Sequence, residues 1–333
     1  MSRAAVVAGL GSWVPPTVVS NAELAAQLDT SDEWIRTRTG IRQRHVIEPG
    51  SATGDLAVAA GRRALASAGV DGADLVVLAT STPDQPCPAT APEVASRLGL
   101  TGVGAFDVAA VCTGFVYALA TAAGLLATGV GDSALVIGAD TFSTILDPAD
   151  RTTRAIFGDG AGAVLLRAGE PGELGALNGF VLGSDGTRRE LIEVPAGGSR
   201  QRSTGRPADP ADTYFAMQGK PVFAEAVAMM ASSIRTTTER MGWSVAQIDH
   251  FVLHQANARI LAAVAQRLEV PLERFVSNIE RVGNTVAASI PLAMADAARE
   301  GRLGAGQRVV LAGFGGGLTW GSTALTWPDL KTV

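Results

Sequence analysis

Aromatic residues make up only 5% of this 333-residue chain and charged residues only 18%. With 47% apolar content, so little charge excludes a disordered chain, which lacks the apolar surface needed to order itself. Cysteine is nearly absent. Cys87 and Cys112 lie 25 positions apart, so there is neither a Cys-x-x-Cys motif nor a disulfide framework, and a reducing cytosol fits best. The three histidines, His45, His250 and His254, form no ligand cluster with them, so no metal is expected. Positive charge is not in excess either: 27 Lys+Arg against 32 Asp+Glu give −5, which leaves no electrostatic footprint for nucleic acid. One uncharged run, residues 108–131, is 24 residues long and could span a bilayer. Its four glycines, three threonines and one cysteine, without flanking Lys or Arg, read instead as a strand end entering a buried helix. The N-terminal Met1–Gly11 is short for a signal peptide and reads as a first strand. A cytoplasmic protein with no membrane segment is expected.

What the chain does have is alternation. Short β-branched runs predict buried strands at Ala4–Val7, Leu75–Thr80, Ala134–Ile137, Ala161–Leu166, Phe251–Leu253, Arg308–Ala312 and Ser322–Thr326. Ala-rich stretches predict helices at Gly54–Ala68, Thr113–Thr128, Pro221–Met241, Asn257–Leu268 and Thr285–Arg299, and Ser20–Glu23 has capping-box spacing. Together these imply a layered α/β fold. The two halves, 1–175 and 176–333, repeat each other weakly. Phe106–Cys112 with the helix after it, then Leu135–Gly138 and Phe157–Leu166, match Arg281–Asn284 with its helix, then Val309–Gly313 and Phe314–Leu325. A duplicated unit follows, with Cys112 and Asn284 at corresponding strand-to-helix junctions facing one central site. Residues 188–212, rich in Gly, Pro, Ser and Arg, read as an exposed loop joining the halves.

Three residues could carry chemistry. Cys112 opens a helix, where free N–H groups and the helix dipole can bring a thiol from about 8.5 towards neutrality and make it a nucleophile; it could equally be an inert buried hydrophobe. His254 follows a strand, beyond the carboxyl end where α/β proteins bind ligands. His250, before that strand, reads as surface, and His45 as structural. Asn284 could cap its helix or donate its amide to an oxyanion. The glycine run 315–317 could bring backbone close to a ligand and offer an N–H. Gly158–Ala163 lacks the dinucleotide fingerprint.

Cysteine, histidine and asparagine in this order bring further motifs with them. These are Asp29–Arg42, Ala110–Phe115, Asp150-Arg151, Phe157–Ala163, His254–Asn257, Gly283–Thr285 and Gly313–Gly317. Over nearly its whole length the chain closely resembles the 3-oxoacyl-(acyl-carrier-protein) synthase III family, condensing enzymes that initiate bacterial fatty acid synthesis. The resemblance implies a thiolase-like, duplicated five-layer α-β-α-β-α fold with pseudo-twofold symmetry, working as a homodimer without a cofactor. It implies that Cys112 takes an acyl group from acyl-CoA, with the N–H groups of Cys112 and Gly316 as oxyanion hole. Malonyl-carrier protein then loses CO2, His254 and Asn284 hold the enolate, and a 3-oxoacyl-carrier protein is released. Trp34 and Arg151 would hold the adenine end of CoA; Arg38, Phe223 and Asn257 would line the pantetheine tunnel. The stretch Gln255, Ala256, Asn257, Ala258 and Arg259 would meet the acyl carrier protein. Phe314 and, from the other subunit, Cys87 would line the acyl pocket.

Three departures bear on this. Lys220 stands where the family often has Asn. Cys87 stands where it often has Phe, so an opened pocket and starters larger than acetyl are expected. The 188–212 loop is long and basic. A starter-unit ketosynthase of a polyketide pathway, or an acyltransferase, would share the first half-reaction and remains the alternative. A fold-retaining partner without chemistry would have lost one of the three residues, and a nicotinamide enzyme would carry the missing fingerprint.

Overall fold

Two mixed sheets lie face to face across a pair of helices in the computed structural model, which describes residues 3–331. The first sheet runs, in spatial order, Ala4–Trp13, Gly160–Gly169, Ser133–Asp140, Leu75–Ala79, Gly104–Val108. The first three are antiparallel neighbours and the last three parallel. The second sheet repeats the pattern with Asn178–Ser184, Thr319–Thr326, Arg308–Gly315 and His250–Leu253, again antiparallel and then parallel. Its fifth place holds only a bridge between Phe251 and Phe275.

Helix Thr53–Ala68 covers the outer face of the first sheet, and Gly219–Arg240 with Ala258–Leu268 covers the second. Helices Gly114–Ala127 and Ser289–Arg299 lie between the sheets. This is the expected five-layer α-β-α-β-α arrangement. It explains why Leu75–Ala79 reads as an unbroken apolar run: the strand is covered on both faces and all five residues are buried. The uncharged run 108–131 resolves in the same way, as a strand end, a 3-10 turn and the inner helix Gly114–Ala127. Among the described residues, no helix is long and apolar enough to cross a membrane.

The first strand runs to Trp13, past the predicted Val7, because Gly9 and Gly11 let it lie against the outer helix. A Cβ on Gly11 would come within 2.1 Å of the Ala60 carbonyl oxygen. Strand Asn178–Ser184 escaped the sequence reading, being an edge strand weakened by Gly179 and Gly183. The 188–212 segment is not one plain loop. It holds short helical turns, and its roots pair as Ile192–Glu193 with Ala216–Met217.

The repeat needs a correction of register. Each inner helix is entered through a 3-10 turn, Val111–Thr113 and Val286–Ala288, whose first residue is a valine with positive φ, +45° and +52°. These turns pair Cys112 with Ala287. Asn284 therefore lies three residues ahead of the position equivalent to Cys112.

Candidate active site

The strained Val111 places Cys112 at the tip of its turn, and the end of strand Arg308–Gly315 folds down onto it. A Cβ on Gly315 would stand 2.8 Å from the Cys112 nitrogen and 2.9 Å from its Cβ, so only glycine fits. A β-branched residue with positive φ is costly, and such strain concentrates where geometry is demanded. Cys112 is buried. Burial pushes its thiol pKa well up, the nearby Asp140 carboxylate adds to this, and its own backbone N–H opposes it. In the resting site, desolvation of the thiolate outweighs the lowering that a helix entrance can give.

His254 follows strand His250–Leu253 and is 2% exposed. Burial lowers its pKa to about 3, so the ring is neutral. Its Nδ1 lies 2.6 Å from the Ser289 hydroxyl, whose oxygen accepts from the Gln255 N–H at 3.4 Å and whose own proton is left to give. Ser289 begins the second inner helix. With the Ser289 hydroxyl donating to Nδ1, the ring proton sits on Nε2 as a donor.

Asn284 is held by backbone pairing to the other half: its N–H donates to the Ile156 carbonyl at 2.9 Å, and its carbonyl accepts from Gly158 N–H at 3.0 Å. Its Oδ1 accepts from the Val286 N–H at 2.9 Å. The oxygen is engaged with the turn that leads into the inner helix, which fixes the amide and leaves the Nδ2 hydrogens available to donate.

Cys112, His254 and Asn284 line one narrow cavity of about 40 Å3, with Phe314 and Gly315. Phe142, Phe157 and Phe215 wall it, their ring centroids 4.7–5.1 Å apart. Sequence reading missed Phe142 and Phe215, and Ser289 as well. Each meets the site through contacts distant in sequence. Cys87, expected to reach the acyl pocket from a second subunit, is exposed and stands apart from this chain's own cavity, which three phenyl rings wall. Gly316 packs beside Val111 and Ile192, one residue beyond the close approach to Cys112.

On the surface side, Arg38 and Arg151 both lie over the Trp34 ring, at 5.0 and 5.5 Å from its centroid. Arg151 is also paired with Asp29. Phe223 is half-buried beside Val222, which lines the cavity. Asn257 caps helix Ala258–Leu268 through its Oδ1 and donates its Nδ2 to the Arg38 carbonyl at 3.0 Å. Of residues 255–259 only Arg259 is exposed. Gln255 is a correction: it is fully buried, its amide spent on the Leu253 and Val276 carbonyls at 2.8 and 3.1 Å, so it cannot meet a partner. Ala256 faces the cavity, and Ala258 packs beneath Gly40. His250 is also corrected. It begins the strand and is half-buried, with its Nδ1 unpaired. His45 is structural as expected, its Nδ1 lying 2.6 Å from the Pro15 carbonyl oxygen. Lys220 is exposed at the start of helix Gly219–Arg240.

Comparison with known proteins agrees with this fold. The family models for 3-oxoacyl-[acyl-carrier-protein (ACP)] synthase III and its C-terminal part match residues 106–186 and 238–327. The chain is 61% identical to beta-ketoacyl-[acyl-carrier-protein] synthase III 5 of Streptomyces coelicolor over 333 residues, covering 100% of both. It is 59% identical to beta-ketoacyl-[acyl-carrier-protein] synthase III of Pseudomonas aeruginosa, over 99% of this chain and 98% of that one. The crystal structure of the Pseudomonas aeruginosa PAO1 synthase III superposes with a TM-score of 0.93 at 57% identity, over 98% of this chain and 99% of that one. The priming β-ketosynthase of the R1128 polyketide pathway superposes with a TM-score of 0.90 at 37% identity, covering 98% and 97%.

Proposed function

Because the chain belongs to the 3-oxoacyl-(acyl-carrier-protein) synthase III family, we propose that it joins an acyl-CoA starter to malonyl-carrier protein through an acyl-Cys112 intermediate. It is a condensing enzyme of fatty acid synthesis. The observation that carries the residue assignment is that Cys112, from one half, shares a narrow apolar cavity with His254 and Asn284 from the other.

In the first half-reaction the Cys112 sulfur attacks the acyl-CoA carbonyl, the bond to the CoA sulfur breaks, and the thiol proton ends on CoA. Since burial holds Cys112 as a thiol at rest, the proton leaves as the new bond forms. The N–H groups of Cys112 and Gly316 receive the oxyanion. In the second, the malonyl carboxylate leaves as CO2 and its bonding pair becomes the enolate. His254 Nε2–H and Asn284 Nδ2–H donate to the enolate oxygen, a charge absent from the ground state, so they stabilise the transition state selectively. The carbanion attacks the acyl carbonyl, the C–C bond forms, the bond to the Cys112 sulfur breaks, and the departing thiolate takes up one proton from solvent to restore the resting thiol. Electrons balance without a redox group, which supports a reaction that needs no cofactor.

Trp34 and Arg151 would receive the adenine end of CoA, Arg151 swinging off the ring to admit the base. Arg38, Phe223 and Asn257 would line the tunnel, and Arg259 would meet the acidic carrier protein. Residues 1–175 thus supply the nucleophile and 176–333 the enolate donors. A homodimer is supported by the edge strand Gly104–Val108, which leaves a row of backbone groups for a second copy to pair. The polyketide-priming alternative gains nothing, with 37% identity against 61%.

The test is intact-protein mass after mixing with acyl-CoA, followed by malonyl-carrier protein. An adduct that forms on the wild type, is missing in Cys112→Ala, and is discharged as 3-oxoacyl-carrier protein is expected. An adduct that malonyl-carrier protein cannot discharge would move the assignment to acyl transfer.

A further inference from the structure

Asp140 ends strand Ser133–Asp140, is completely buried, and takes no part in the steps above. Its Oδ1 accepts from the Ser81 N–H at 2.7 Å, the Thr82 hydroxyl at 3.1 Å and the Thr80 hydroxyl at 3.3 Å. Its Oδ2 accepts from the Ala287 N–H at 3.0 Å. The first three donors follow strand Leu75–Ala79 in the first half. Ala287 belongs to the turn of the second half that starts two residues after Asn284. One carboxylate therefore ties the halves together beneath the site.

The turn it holds is the strained one. Val286 is completely buried at φ +52°, so it keeps that conformation only under restraint from both sides. Upstream, Asn284 Oδ1 accepts from the Val286 N–H; downstream, Asp140 accepts from the Ala287 N–H. Asn284 keeps its Nδ2 free only while its Oδ1 stays on that turn. A buried carboxylate is costly: burial raises Asp140 to about 7, and its charge also makes Cys112 harder to ionise. Neither packing nor the nucleophile gains from it, whereas the turn does.

We propose that Asp140 is a positioning residue for condensation, its ionised carboxylate holding the Val286–Ala288 turn so that Asn284 Nδ2 stays aimed at the enolate oxygen. This rests on the enolate role given to Asn284 above. This positioning serves the second half-reaction, whereas on the first the carboxylate's charge only hinders Cys112 ionisation. The isosteric Asp140→Asn variant isolates it. Both carboxylate oxygens face a backbone N–H, of Ser81 and of Ala287, so an amide can accept one and must oppose the other with its own NH2.

The experiment follows the two half-reactions separately, with Asn284→Ala run alongside. Asp140→Asn should form acyl-enzyme no more than about threefold slower than the wild type, since losing a charge that hinders Cys112 ionisation does not slow acylation. Starting from preformed acyl-enzyme, its condensation kcat should fall at least about tenfold, the scale of one lost hydrogen bond to a charged group, with KM for malonyl-carrier protein little changed. Preformed acyl-enzyme has no free Cys112 thiol, whose ionisation the Asp140 charge opposes, and the groups that bond Asp140, on Thr80, Ser81, Thr82 and Ala287, carry no charge. Wild-type condensation should therefore fall as pH drops through 7, where protonation costs Asp140 an acceptor, and Asp140→Asn should lack that limb. The wild-type limb can be read even if the variant folds poorly. Equal losses in both half-reactions, or no loss in condensation, would overturn the proposal. If Asn284→Ala condenses at the wild-type rate, the Asn284 assignment is what fails; if it is dead while Asp140→Asn is normal, only the Asp140 proposal fails.

Discussion

At Cys112 the surroundings work against the free thiolate, and the phenylalanines that exclude water are part of the reason. Phe142, Phe157 and Phe215 close the cavity beside the sulfur, leaving about 40 Å3, which is room for a short acyl chain and little more. Dispersion and desolvation make such a site discriminate by roughly 0.8 kcal/mol per methylene it can or cannot bury. Phe215 is the ring to remove, because it comes from the root of the 188–212 excursion and not from a sheet. Phe215→Ala should raise kcat/KM for hexanoyl-CoA relative to acetyl-CoA by at least about tenfold, at a stability cost of about 3 kcal/mol or more. Competition between the two thioesters, read by product mass, checks this. An unchanged ratio would show that Phe215 does not bound the acyl chain.

Between elements, the decisive contact is strand end against turn. The last residue of Arg308–Gly315 leaves no room for a side chain above Cys112, since both atoms a Cβ would strike are held by the backbone of the 3-10 turn. In Gly315→Ala the turn must shift, and misplacing a nucleophile by about 1 Å can cost on the order of a hundredfold. Acyl-enzyme formation should fall by that order while thermal unfolding moves only a few degrees; acylation at the wild-type rate would mean that the turn yields freely. This contact also marks what a sequence can and cannot reveal. The glycine run 315–317 and the Cys, His and Asn motifs were legible because each is a local pattern of special residues. The repeat was legible too, but its register slipped by three at Asn284, since a 3-10 turn with a positive-φ valine has no composition signature. Ser289 and Asp140 were invisible. A buried serine at a helix start and an aspartate at a strand end acquire meaning only from partners 35 and 147 positions away.

Over the whole molecule, the seam between the halves buries two ionisable groups of opposite habit, and their pH dependences nearly cancel. His254 is depressed from 6.5 to about 3, so the folded state binds fewer protons than the unfolded one; its contribution is full above 6.5 and is lost as pH falls towards 3. Asp140 is raised from 3.8 to about 7, so the folded state binds more protons; its contribution is full below 3.8 and is lost as pH rises towards 7. Between about pH 4 and 6.5 the two slopes oppose each other, each about 1.4 kcal/mol per pH unit at most. Removing one unmasks the other. Relative to wild type, Asp140→Asn should gain stability steadily as pH rises through that window, whatever fixed amount the lost hydrogen bond subtracts at every pH. Urea midpoints of both proteins at half-unit steps from pH 4.5 to 7.5 provide the comparison, and a difference that does not vary with pH would mean that Asp140 does not titrate there. The slope depends on protons, whereas the offset depends on contacts, so one titration separates the charge of this carboxylate from its shape.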